Sequence, residues 1–402
     1  MNILVLNCGS SSIKYRLLDM SESSKTTAKG IAERIGQPEG LLIHKPENKA
    51  DVELKQHFGC HEEGINAILS ALTDSRHGVV DDIKRIEAVG HRVAHGGEFF
   101  SKSVIIDDDV KEKIERCSDI APLHNPANLS GIVSMEKLLP GVPQVAVFDT
   151  SFHQTMPPKA YLYALPYEYY LNYGIRRYGF HGTSHKYVAQ KACSMTGLDF
   201  DNSKIITCHM GNGVSITAIE NGKSIDTSMG FTPLEGLMMG TRCGDLDGGI
   251  ITWLQENKNL NPKETNNFLN KDCGLQGFTG ISSDMRDLWK ARYNDGNMLA
   301  ATATDMFIYR AAKYVGAYAA AMNGTDMVVY TGGIGENDWA VRSGISGYLG
   351  FLGAEIDEDL NKNLRTDKVI SKPTSKVKLV LAETNEELVI AVDTVNLVKS
   401  GK

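Results

Sequence analysis

Apolar positions fall in short bursts, each closed by small or polar residues. Ile3-Leu-Val-Leu6 is one such burst, stopped at Asn7. A turn of small residues follows, and the apolar pattern resumes from Ile13 to Leu18. This grammar predicts a β-hairpin. Half a chain later it returns, with an apolar run from Ile205, a turn in which Gly211 stands where Gly9 stood, and a second run from Val214 to Ala218. A repeat at that period predicts two halves of similar design. Met298 to Met322 predicts a helix, with Phe307, Ala311, Tyr314, Tyr318 and Met322 at three- and four-residue spacing and Asn323-Gly324 as its stop. A strand at Met327–Tyr330 comes next, then a third glycine loop, Thr331 to Asn337, running into a helix. Helix, strand and glycine loop in that order predict an α/β layer. Val145 to Phe148 reads as a strand ending at Asp149. We expect the domain boundary after Thr150, because Met156–Lys159 and the tyrosine-rich stretch to Tyr178 read as a crossing segment.

Composition narrows the class. At roughly 150 residues per domain, 402 residues predict two to three domains and a sizeable core. Lys plus Arg number 42 against 49 Asp plus Glu, scattered and without blocks, which argues against nucleic acid as a partner. No apolar run approaches the roughly 18 residues needed to span a bilayer, so no membrane partner is expected. The first residues carry no basic segment and their apolar stretch stops at Asn7, so a cytoplasmic protein is expected. Seven cysteines without C-x-x-C spacing suggest buried thiols, with neither a disulfide framework nor a zinc ribbon.

Several constellations offer chemistry. Ser10, Ser11, Ser12 and Lys14 surround one tight turn with hydroxyls, backbone N–H groups and an ammonium, a setting in which anions collect. His209, Met210, Gly211, Asn212 and Gly213 repeat the arrangement, with glycine allowing backbone donors to approach a phosphate. Neither a G-x-x-x-x-G-K-[ST] loop nor a G-x-G-x-x-G fingerprint occurs, so phosphate would be held in another way. Arg92, in GHRVAHGG, and Arg242, in MGTRCGDLDGG, each stand among glycines. A fixed guanidinium there suits carboxylate or phosphate oxygens, and a structural bridge is the alternative for each. The pairs His91/His95 and His181/His185 have helix-face spacing, but neither belongs to H-E-x-x-H, and zinc is not expected. His181 reads either as a donor over a developing negative charge or as a satisfied core histidine.

In order along the chain, NCGSSSIKY, GHRVAHGG, FDTSFH, RRYGFHGTSH, HMGNG, TRCGDLDGG, DMR, GGIGEN and TNEEL resemble the acetate kinase (acetokinase) family, from Asn7 to Glu386. The resemblance implies an α/β fold of two duplicated RNase H-like domains, shared with sugar kinases, actin and chaperone ATPases, with nucleotide in a cleft between them. Residues 1–150 with 386–402 would form the N-terminal domain and 151–385 the C-terminal, nucleotide-binding one. It further implies reversible transfer of the ATP γ-phosphoryl group to acetate, giving acetyl phosphate and ADP, in a cytoplasmic homodimer. Magnesium, or manganese in its place, would be held with the help of Asn7 and Glu386. Ser10, Ser12, Lys14 and His209 to Gly213 would meet ATP phosphates. Asp284, Met285 and Arg286 with Gly333, Ile334, Gly335, Glu336 and Asn337 would flank the adenosine. Arg92 and Arg242 correspond to the acyl and phosphoryl clamps, Asp149 to the catalytic acid and His181 to the transition-state donor. Ala94, Leu123, Phe180 and Pro233 would form the acyl pocket.

A carboxylic acid with a pKa near 4.3, like that of Glu, is already ionised at pH 7, so the acceptor needs no general base. Asp149 is then better suited to orienting magnesium or its water than to moving a proton. Ala94 stands where family members more often carry Val, which opens space for one more methylene, an effect worth about 1 to 3 kcal/mol. Met285 stands where Phe is common. Propionate kinase of the same family is the alternative reading. A nucleotide-driven ATPase that phosphorylates no acyl group is the more distant one.

Overall fold

The computed structural model describes residues 1–21, 24–363 and 367–401. Two compact units divide it, Met1–Gln154 with Asn385–Lys402, and Thr155–Thr384. Residue 402, the last of the C-terminal segment expected to join the first unit, lies outside the described residues.

The first unit is built on β1 (Asn2–Cys8), β2 (Ser12–Asp19), β3 (Lys25–Glu33), β4 (Gly40–Pro46), β5 (Val52–Gln56), β6 (Ala88–Val93), β7 (Val104–Ile105) and β8 (Gln144–Phe148). They form one mixed sheet in the order β5-β4-β3-β2-β1-β6-β8-β7. β1 pairs antiparallel with β2 and parallel with β6, and β6 parallel with β8. The second unit has β9 (Lys204–Met210), β10 (Val214–Glu220), β11 (Lys223–Thr227), β12 (Met327–Thr331), β13 (Lys368–Val369) and β14 (Lys378–Leu381), in the order β11-β10-β9-β12-β14-β13. β9 is antiparallel to β10 and parallel to β12, and β12 is parallel to β14.

Stripped of its outer strands, each sheet reads third-second-first-fourth-fifth, three antiparallel strands followed by two parallel ones. A short antiparallel edge strand, β7 or β13, repeats as well. This is the α/β fold of two duplicated RNase H-like domains that the family resemblance implies, and the duplication agrees with the two similar halves predicted by the hairpin repeat.

Both faces of the first sheet are covered. Leu4, Leu6 and Cys8 point into the core with Ile65 and Ile68 of the helix His61–Thr73. Ile3 and Val5 point the other way, onto Ile390, Ala391 and Val395 of the helix Glu386–Ser400. Period-two alternation with both sides apolar gives the continuous apolar run seen in the sequence. A side chain at Gly90 would come within 2.5 Å of Ile390, so glycine there lets the C-terminal helix lie directly on β6.

In the second unit the helix Met298–Ala321 buries the expected stripe, with Phe307 and Ala311 fully covered. The third glycine stretch departs from the expected loop. Gly332–Asn337 winds into a short helix. Gly332 takes a left-handed φ of 76° and packs against Met210 backbone, at 2.8 Å from where a Cβ would stand, which no other residue type would tolerate.

Candidate functional site

In the first unit, β1 and β2 place Asn7 directly opposite Lys14 in the ladder, so both side chains leave the same face beside the turn. Asn7, Ser12, Lys14, Arg92 and Ala94 line a cavity of about 220 Å³. His124 and Asn128 complete it, and the sequence reading missed both. Asn128 is almost fully buried. It donates to the Cys8 carbonyl at 2.7 Å and accepts from the Ala94 amide at 3.0 Å, tying the end of β1 to the segment after β6. Ser10 and Leu123 are exposed and lie outside this lining.

Arg92 does not stand alone. Its Nε and Nη2 donate to the two carboxylate oxygens of Asp149 at 2.9 and 2.5 Å, and Glu386 approaches Nε at 3.6 Å. Asp149 is 2 % exposed. Burial pushes its carboxyl up from the ordinary range, Arg92 pulls it back, and Glu386 adds to the rise. On Arg92 burial works against the charge, but Asp149 and Glu386 outweigh it and raise its pKa. The one guanidinium thus faces two carboxyl groups, those of Asp149 and Glu386. With Asn7 they offer oxygen donors only, from one amide and two carboxylates. A magnesium ion, which takes one or two carboxylates and completes its shell with water and phosphate, suits that chemistry. No group of three or more His, Cys, Asp or Glu able to hold a metal occurs among the described residues.

In the second unit, His181 ends the RRYGF segment at a left-handed φ of 56° and opens the helix Gly182–Thr196. A non-glycine residue in this region is held there by its surroundings, as is frequent at functional sites. Its ring stacks on His209 at 4.2 Å. Arg242 donates from Nη1 to the Pro233 carbonyl at 3.1 Å. Both side chains converge on the β9–β10 turn. A Cβ on Gly213 would lie 3.4 Å from His181 Nε2 and 3.4 Å from Arg242 Nη1. Phe180, 4 % exposed, belongs to the unit's core.

A separate cavity of about 800 Å³ gathers Gly211, Asn212, Asp284, Met285, Arg286, Gly333, Ile334 and Asn337, all expected around nucleotide. Ser283, Trp289, Asp338 and Trp339 also line it and were missed. The spacing of Trp289, one helical turn beyond Met285, is the signal that could have found it. His209, Met210, Gly213, Gly335 and Glu336 do not line this cavity. Glu336 is engaged elsewhere, accepting from the amides of Gly332 and Thr384 at 3.0 Å. Gly335 packs at 3.3 Å, measured from a built Cβ, against the Met210 methyl.

Duplicated RNase H-like units in which lysine, arginine and histidine stand near the hairpin turns, beside cavities sized for small anions and a nucleoside, define a phosphotransferase, a kinase of the α/β class. The chain belongs to the acetokinase family, whose model matches residues 2–392. It is 54% identical to an acetate kinase of Caldanaerobacter subterraneus subsp. tengcongensis over the full length of both chains. Among solved structures it resembles Porphyromonas gingivalis acetate kinase, at 49% identity and a TM-score of 0.95 over 99% of each chain. It also resembles a propionate kinase from Francisella tularensis, at 42% identity and a TM-score of 0.91 over 98% of this chain and 99% of that one.

Proposed function

We propose that the protein transfers the γ-phosphoryl group of ATP to acetate, reversibly, forming acetyl phosphate and ADP. The observation that carries this reading is identity above one half, over the whole of both chains, to a protein named acetate kinase. The residues supply a chemistry consistent with it.

Acetate arrives ionised and needs no base. Its difficulty is repulsion from the triphosphate, and the chain answers with cations. Arg92, held by Asp149 through Nε and Nη2, keeps Nη1 outside that fork to meet a carboxylate oxygen. The Asp149 carboxylate acts by fixing that guanidinium and by offering oxygen to the metal. Arg242 and His181 aim donors at the phosphoryl group in transfer, each worth typically about 3 to 4 kcal/mol. Lys14, with the Ser10–Ser12 turn and the Gly211–Gly213 turn, meets the remaining phosphate oxygens. Asn7, Asp149 and Glu386 would hold magnesium, which neutralises charge between the β- and γ-phosphates when bound. Adenosine lies in the cavity of Met285, Trp289 and Trp339, where the two indoles compensate for methionine in place of a phenylalanine.

The acyl methyl is assigned to the cavity that Ala94 lines. Propionate is a usable second substrate on this reading, because Ala94 leaves room and a propionate kinase shares the fold at a TM-score of 0.91. Exposed apolar side chains on the helices Tyr167–Tyr173 and Gly248–Lys258, including Leu171, Tyr173 and Trp253, support a homodimer. A cytoplasmic location accords with the finding that no helix among the described residues is long and apolar enough to cross a membrane.

A hydroxamate assay for acyl phosphate, run with ATP, magnesium and acetate, propionate or butyrate, tests the reaction and its acyl range. Acetate should give the highest kcat/KM and propionate a measurable one. A propionate value thousands of times below acetate removes the role of Ala94, and ATP turnover without any hydroxamate removes the acyl-kinase reading.

A further inference from the structure

Beneath His181 runs a buried file of side chains that the proposed transfer does not itself use. Ser215 Oγ lies 2.8 Å from His181 Nδ1 and 2.7 Å from His185 Nε2. His185 Nδ1 in turn lies 2.7 Å from Thr207 Oγ1. Ser215, His185 and Thr207 are all fully buried. We infer that Thr207, His185 and Ser215 are positioning residues that fix His181 as the tautomer with hydrogen on Nε2.

Donor and acceptor accounting decides the direction. A hydroxyl has one hydrogen to give, and a neutral imidazole donates from one nitrogen and accepts at the other. Suppose first that Ser215 donates to His185. Then His185 donates from Nδ1 to Thr207, whose own hydrogen has no acceptor among the described residues. Suppose next that both histidines donate to Ser215. Then the hydrogen of Ser215 is stranded in the same way. An unmade donor in a fully buried place costs about 1 to 3 kcal/mol, so both arrangements are disfavoured. One direction satisfies every group. Thr207 donates to His185 Nδ1, His185 donates from Nε2 to Ser215, and Ser215 donates to His181 Nδ1.

His181 must then carry its hydrogen on Nε2, the atom that faces the Gly213 position beside Arg242. The hydrogen bond made by one ring nitrogen sets the state of the other, and here it presents a donor where the transferring phosphoryl group would stand. This inference rests on the reading of His181 as that donor only for its kinetic consequence.

Nitrogen NMR on the full chain labelled in histidine, with His181 assigned through His181→Gln, reads the tautomer without substrate. We expect Nε2 protonated and Nδ1 bare in the unaltered protein, a mixture in Ser215→Ala, and restoration in Ser215→Thr. Thr207→Val, close in shape and remote from the turn, should shift the ring in the same direction and covers the case in which Ser215→Ala fails to fold. In the hydroxamate assay Ser215→Ala should lower kcat about tenfold, below the full worth of the donor, with both KM values within about twofold. A hydrogen on Nδ1 in the unaltered protein, or a tautomer indifferent to Ser215→Ala and Thr207→Val, overturns the inference. If the protein makes no acyl phosphate, the catalytic reading falls and the NMR result still decides the tautomer.

Discussion

Gly213→Ala separates the site from the fold with one methyl group. The glycine's φ lies outside the left-handed region, so alanine fits the backbone, and the new Cβ would stand 3.3 Å from His181 Cε1 and 3.4 Å from both His181 Nε2 and Arg242 Nη1. Comfortable separations begin near about 3.5 to 4.0 Å, so each neighbour must yield by a few tenths of an ångström. Alanine for glycine at a permitted conformation gains about 0.4 to 1 kcal/mol through the unfolded chain. The close contacts offset a gain of that size, and the melting temperature should move by no more than about 2 to 4 °C. On the proposed mechanism activity responds differently, because the methyl disturbs two donors at once and stands where a phosphoryl oxygen would come. A misplacement of 1 Å can cost about 100-fold, so a smaller shift in two groups predicts kcat lower by about 10- to 100-fold. The hydroxamate assay and a thermal melt on the same preparation measure both. A kcat within twofold of the unaltered protein, with the melt unchanged, would refute the convergence of His181 and Arg242 on the reacting group.

Arg242→Leu should lower kcat by about 10²- to 10³-fold, and near-normal turnover would remove the phosphoryl-clamp assignment. His91 is 2 % exposed, bonded to Gln144 at 2.6 Å, and burial lowers its pKa to about 4 from an unfolded value of 6.5. The unfolded chain therefore binds the extra proton between those values, and about 3 kcal/mol of stability present above pH 6.5 is lost as pH falls toward 4. Urea midpoints at pH 7 and pH 5 should differ less in His91→Gln than in the unaltered protein, and parallel profiles would contradict the assignment. Burial pushes the Cys8 and Cys117 thiols up to about 12, whereas Cys60 is exposed. A disulfide reagent should label Cys60 first and reach Cys8 and Cys117 only on unfolding, and early loss of either buried thiol would show local opening.

The chain's own pattern determined the two hairpins, their repetition, the apolar stripe of Met298–Ala321 and the glycine turns where backbone donors gather. These are short-range features, set by periodicities of two and 3.6 residues and by the conformations glycine permits, and they survive in any window of the sequence. Tertiary structure decided which of the candidate residues share a cavity. Arg92 meets Asp149 and Glu386 only because β6, the end of β8 and a helix nearly three hundred residues further on pack together, and no local spacing encodes that. Asn128, Trp339 and Ser215 stayed invisible for the same reason, since an asparagine or a serine in a periodic element reads as ordinary until its partners are known. The third glycine stretch could be read as a loop because glycine disfavours helix by about 1 kcal/mol per residue, yet Gly332–Asn337 is helical. Its ends are held by Glu336 and by Arg342, which donates to the carbonyls of Gly335 and Glu336, and such side-chain restraint outweighs local preference.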